Sequence, residues 1–93
     1  MQASEMLTQA AALVDGSRKA TYGDPADNFA RCAALWNAYL AIRREPAAPL
    51  TPEDVCHLHA LAKVARTQGP IAHPDNWIDG AAYIALAGEV SNG

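Results

Sequence analysis

The chain has no CxxC pair, no apolar run approaching 18 residues, no basic excess and few bulky apolar side chains. Each shortage narrows what the protein is. Cys32 and Cys56 stand far apart and match no metal or redox spacing, so two reduced thiols in a cytosolic setting are expected. Residues 1–15 contain Glu5 and Asp15 and lack a basic start ahead of an apolar stretch. They read as neither leader nor membrane span, and a cytoplasmic protein without membrane contact is expected. A formal net charge of −3 speaks against nonspecific nucleic-acid binding, which needs a basic surplus. The apolar share of 51% is largely alanine, which favours helix but buries little area at about 25 cal/mol per Å². With 93 residues there is room for one domain, 1–93, with a thin core. Packing against a copy of itself would compensate, so a homo-oligomer is expected.

What is present points to helices. A first helix is expected from about Ser4 to Val14, capped by Ser4, with Leu7, Ala10, Ala11 and Val14 on its inner stripe. Asp15-Gly16 ends it. A second starts at Asp24-Pro25 and runs to Arg43-Arg44, with Phe29, Cys32, Ala33, Trp36 and Leu40 facing inward. Glu45 to Pro49 is too proline-rich to be helical. Thr51-Pro52-Glu53-Asp54 is the clearest start signal, opening a helix that ends at Gln68-Gly69-Pro70, with Leu58, Leu61, Ala62 and Ala65 as its core stripe. The last helix follows His73-Pro74-Asp75 and continues to about Val90. No alternating β-branched run competes, so the fold expected is all-α, a compact bundle of about four helices.

Chemistry concentrates in the second half. Asp75 and Asp79 lie four apart, on one face that continues through Ala82, Tyr83 and Leu86. Carboxylates in line with apolar positions need a cation, a metal or hydrogen-bond donors once that face packs. Two outcomes are open. In one, Asp75 caps the helix and Asp79 pairs with Lys63 or Arg66; in the other, the two carboxylates hold Mg²⁺. Lys63 and Arg66 border the core stripe of the third helix, with His59 between them in projection, and suit phosphate oxygens as well as a solvated face. Arg18, Tyr22 and Gly23 offer a cation, a ring and close backbone approach in one short connection. Trp36 is expected in the core, whereas for Trp77, near a helix start, a core position and stacking on a base are both open. His57 and His59 point roughly 160° apart on a helix, which argues against zinc.

The ordered set matters more than any piece of it. Arg18, Thr21-Tyr22-Gly23-Asp24-Pro25, Asn28-Phe29 and Ala34-Leu35-Trp36-Asn37-Ala38-Tyr39-Leu40 resemble a family of short phage and prophage proteins. The likeness continues through Leu50 to Val55, Lys63-Val64-Ala65-Arg66 and Asp75 to Tyr83, nearly the whole chain. The helical plan is also similar, more remotely, to the all-α nucleoside triphosphate pyrophosphohydrolases of the MazG type. Those enzymes hold Mg²⁺ with an ExxE pair on one helix and an ExxD pair on the next. The resemblance implies Asp75, Asp79 and Asp54 as metal ligands, and Asp79, Asp75 and Lys63 as the catalytic group. Arg18, Tyr22, Gly23, Asn28, Lys63, Arg66 and Trp77 would hold the ligand. The carboxylates here are spaced by four rather than three, and the ExxE pair has no counterpart.

Three functions follow as expectations. The first is a Mg²⁺-dependent pyrophosphohydrolase that cleaves an NTP or dNTP. The second is a sponge that sequesters a host antiviral signalling nucleotide without chemistry. The third is a structural or partner-binding helical module. A phage-encoded protein of any of these kinds would work in the host cytoplasm.

Overall fold

A computed structural model describes residues 1–16, 23–71 and 73–92. Four α-helices follow one another: α1 (Ala3–Asp15), α2 (Pro25–Ile42), α3 (Pro52–Thr67) and α4 (Pro74–Asn92). No strand occurs among the described residues. The expected all-α bundle of four helices is what the chain forms, and the boundaries agree with the sequence reading to within about two residues.

The start signals act as expected in α2 and α3. Asp24 accepts a hydrogen bond from the Ala26 amide at 3.0 Å, with Pro25 preset for the first turn. At α3, Thr51 Oγ1 accepts from the Asp54 amide at 3.2 Å while Asp54 Oδ2 accepts from the Thr51 amide at 2.8 Å. That reciprocal pair is a capping box with aspartate in the place of glutamate. Ser4 does not cap α1; the helix begins one residue earlier, and its N-cap Gln2 makes no side-chain cap bond.

α3 is the central element, with α2 and α4 both packed on it. The buried apolar residues are few: Leu58, Ala60 and Ala65 on α3, and Ala87 on α4. The small side chains bring the α3 and α4 backbones close. Gly80 sits over α3 so that a Cβ there would lie 3.6 Å from Lys63 Cβ. The face α4 turns to α3 is Asn76, Gly80, Tyr83 and Ala87, which recur at helical spacing.

Two inner stripes differ from expectation. α1 buries none of its residues, and Leu7, Ala10, Ala11 and Val14 are all exposed. On α2, Phe29 is exposed and Trp36 lies at the margin, while Asn28, Arg31, Cys32, Leu35 and Tyr39 turn toward α3. The helix is rotated by about one residue because its polar groups find partners on α3. Trp36 Nε1 donates to the Leu58 carbonyl at 2.9 Å, and Arg31 Nε to that of Ala65 at 3.3 Å. Hydrogen-bond partners therefore override the apolar count.

Gly23 is one place where glycine is required. Its φ of +76° lies in the left-handed region, and a Cβ would come within 3.0 Å of Pro70 Cδ. The start of α2 is thereby laid against the turn that ends α3.

Candidate functional site

α3 sets the register of both neighbours, and through them the position of the candidate side chains. α4 runs antiparallel to it. The His59 and Tyr83 rings stack with centroids 4.9 Å apart, and Lys63 Nζ lies 3.3 Å from Asp79 Oδ2. Continued by one turn, the same register brings Arg66 level with Asn76. On the other side, the Tyr39–His57, Trp36–Leu58 and Arg31–Ala65 contacts fix α2, and one turn before Arg31 places Asn28 level with the end of α3. The first turns of α2 and α4 thus flank the last turn of α3.

Two amides stand out at this end. Asn28 is 6% exposed and Asn76 4% exposed. Asn28 Oδ1 and Asn76 Nδ2 have no hydrogen-bond partner among the described residues. One is an acceptor without a donor and the other a donor without an acceptor. Leaving such a group unmet costs about 1–3 kcal/mol, so a small domain retains it only for a reason.

One ion pair beside them is loosely held. The Lys63–Asp79 pair has side-chain exposures of 20% and 49%, so solvent screens it and its worth is at most about 1 kcal/mol. An anion with better geometry would compete for Lys63. Arg66 lies close enough to Cys32 to oppose the rise in thiol pKa that burial causes. That rise makes Cys32 a poor nucleophile. Asp75 is exposed in the first turn of α4, and Trp77 beside it is half exposed. Gly23 joins this end through Pro70. Arg18 and Tyr22 lie outside the described residues.

Asp54 belongs to a different place. It sits in the first turn of α3, about 18 Å along the helix from Arg66. Both of its oxygens are engaged: Oδ1 accepts from the Tyr39 hydroxyl at 2.5 Å, and Oδ2 from Arg43 Nη1 at 2.6 Å as well as from Thr51. The Tyr39 bond, the Thr51 amide and the guanidinium hold its carboxyl well below the usual carboxylate range. Tyr39 responds in the opposite sense, pushed up to about 12 by burial and by its bond to Asp54. The single hydroxyl proton goes to Asp54, so the 2.9 Å contact between Tyr39 and His57 Nδ1 is donated by the imidazole. Arg43 also donates to the carbonyls of Pro46, Ala48 and Pro49. The group is a clasp that ties the proline-rich connection to two helices. It borders a cleft of about 430 Å³ lined by Tyr39, Arg43, Arg44, Thr51, Glu53 and His57. The cleft's charges are paired, Arg44 with Glu53 at 2.7 Å and Arg43 with Asp54.

The structure therefore brings Lys63 and Asp79 into contact, and helix register places Gly23, Asn28, Arg66, Asp75 and Trp77 on the turns at the same end, whereas Asp54 is separated from them. Among the described residues no three His, Cys, Asp or Glu side chains converge on a point where a metal would sit. The expected Asp54–Asp75–Asp79 metal set is not assembled, because the cap and the clasp consume Asp54. Asn76 and Arg31 were missed at the sequence level. The signal for Asn76 was the Asn76–Gly80–Tyr83–Ala87 stripe, which competes with the aspartate face and wins.

No helix among the described residues is long and apolar enough to cross a membrane. No solved structure matches the chain. Among curated proteins, the Gene 55 protein of Mycobacterium phage L5 is 37% identical over 81 residues, 87% of this chain and 49% of that protein. The Gene 55 protein of Mycobacterium phage D29 is 36% identical over 78 residues, 84% of this chain and 48% of that protein. The chain spans about half the length of these relatives. The family described as Domain of unknown function (DUF6378) matches residues 5–91. By that match over nearly its whole length, and in keeping with its phage relatives, the chain belongs to the phage protein family DUF6378.

Proposed function

We propose that the protein captures a nucleotide, or a closely related phosphorylated small molecule, at the end of α3 without hydrolysing it. The observation that carries this is the pair of buried amides, Asn28 Oδ1 and Asn76 Nδ2, one lacking a donor and the other an acceptor. A nucleobase edge carries donors and acceptors side by side, the complement these two groups lack. Lys63 and Arg66 supply cations for phosphate oxygens, and Trp77 supplies a half-exposed aromatic plane. Sequestering a host signalling nucleotide requires binding alone.

A resident Mg²⁺ does not fit the described residues. Asp54 is committed to its cap and Asp79 faces Lys63, so a four-carboxylate set is not present. A second reading keeps one specific support: Asp79 is 49% exposed, one turn from exposed Asp75. Two carboxylates can share an ion that arrives with phosphate oxygens and water. That reading is Mg²⁺-dependent pyrophosphohydrolysis of the kind the MazG resemblance implies.

A panel of canonical and cyclic nucleotides, screened by thermal shift in EDTA and in Mg²⁺, tests the proposal. A rise in melting temperature in EDTA is the expected result, and no rise with any nucleotide sinks it. Asp79→Asn then separates the two readings. The variant is expected to change stability by less than about 1 kcal/mol, as suits a half-exposed ion pair, and to bind equally with and without Mg²⁺. Pyrophosphate release by the parent that collapses in Asp79→Asn would establish hydrolysis instead.

A further inference from the structure

α1 carries an apolar stripe that nothing in its own chain meets. Met6, Leu7, Ala10, Leu13 and Val14 fall within about one-third of a turn of one another, and all five are exposed. Glu5, Thr8, Gln9 and Asp15 lie on the other side. A helix with a stripe of this width is built to lay it on a core. At 13 residues, α1 is also of the length at which a helix alone in water is marginal. α2 leaves a second stripe open. Phe29, Ala33, Trp36 and Leu40 fall within about one-sixth of a turn, beside the face turned to α3. Phe29 is 58% exposed and Trp36 37%. The α2 stripe runs about 17 Å and the α1 stripe about 12 Å, at a rise of about 1.5 Å per residue, so one accommodates the other along its length.

We propose that α1 of each copy docks on the α2 stripe of a second copy, the two contacts being related by a two-fold axis. Within one copy the stripes do not meet, so both stand open at once. A second copy supplies one of each kind, and reciprocal docking closes as a dimer that leaves neither stripe uncovered. Area argues for the same occupant. One copy exposes 6409 Å², whereas a folded monomer of 9.8 kDa exposes about 5,200 Å². The uncovered α1 accounts for this excess of roughly 1,200 Å². It accounts equally for a radius of gyration of 15.5 Å, against about 12 Å for a closely packed chain of this length. A stable interface of standard size takes ~800 Å² from each partner, which docking of α1 supplies. α1 contains no lysine or arginine, so neither an anionic membrane surface nor a nucleic acid suits it.

The proposal is independent of the nucleotide, so its test uses none. Light scattering of the full chain at ~100 µM, a concentration well above the constant of any useful dimer, is expected to give twice the chain mass. Leu7→Glu is expected to give the monomer mass, because Leu7 is 71% exposed on a helix that buries none of its residues in its own chain. Should that variant fail to fold, Leu13→Glu, at a position 59% exposed, carries the same readout. Which copy α1 covers is read by mixing isotope-labelled with unlabelled chains and recording only the nuclear Overhauser contacts between them. Contacts are expected from the methyl groups of Leu7 and Leu13 to the ring of Phe29, the single phenylalanine of the chain. A parent of monomer mass overturns the proposal. So does a folded variant that keeps the dimer mass, or a dimer without those contacts, in which α1 would lie on its own α2 or the copies would meet elsewhere.

Discussion

Replacing Asp54 by alanine is expected to cost about 3–5 kcal/mol, the largest effect of any single substitution considered for this chain. The side chains of Asp54 and Arg43 are each 8% exposed, and removing the carboxylate leaves a buried guanidinium facing only carbonyls. The same change removes the α3 cap and the acceptor of the Tyr39 hydroxyl. Against a total stability of ~5–15 kcal/mol for a domain of this kind, the loss would unfold a large share of molecules. Urea denaturation of parent and variant at neutral pH measures it. The pH dependence gives a second reading of the same clasp. The carboxyl of Asp54 titrates lower in the folded state than in the unfolded state. Its stabilisation is thus complete above the ordinary carboxylate pKa of about 3.9 and is lost as pH falls below that value. Tyr39 is raised to about 12. Its contribution is present below the ordinary tyrosine value of about 10 and is lost as pH climbs from there toward 12. The acid limb should be shallower in Asp54→Ala, and the alkaline limb shallower in Tyr39→Phe.

Lys63→Ala is expected to weaken nucleotide binding by roughly 10- to 150-fold, the equivalent of about 1.5–3 kcal/mol for a charge-assisted contact. Stability should barely move. The ion pair it removes is partly exposed, and its partner Asp79 returns half to solvent. Arg66→Ala is expected to lower affinity in the same range. The measurement is a titration in EDTA with the nucleotide that gives the largest thermal shift. Equal affinity in both variants and the parent would make this edge of α3 a solvated face and nothing more.

Much of this fold was legible because its punctuation is local. Asp24-Pro25 and Thr51-Pro52 specify helix starts through hydrogen bonds within four residues, and both act as expected. The inner faces were harder to read. Phe29 and Trp36 look like core on α2, yet Arg31 and Tyr39 turn inward because α3 offers them a carbonyl, a carboxylate and an imidazole, and Asn28 on the same face is carried in with them. Those partners lie far away in sequence, so no periodicity within α2 could reveal them. The Lys63–Asp79 pairing was among the outcomes open from the sequence. Asp54 was misplaced for a related reason: its capping role was visible, but the Arg43 and Tyr39 contacts that exhaust its oxygens come from another helix. The amides were invisible as a pair. Asn28 and Asn76 meet the same end of α3 only because two separate registers bring them there.

The most direct test of the central claim is the nucleotide affinity of Asn76→Leu in EDTA, measured beside its melting temperature. Leucine matches asparagine in shape and removes a buried donor that has no partner, so the unliganded variant is expected to be as stable as the parent or more so. Its affinity for the nucleotide is expected to fall at least ~10-fold, since the group that met the ligand is gone. A variant that binds as tightly as the parent would contradict the account, because the orphaned amide would then serve the fold and not a ligand.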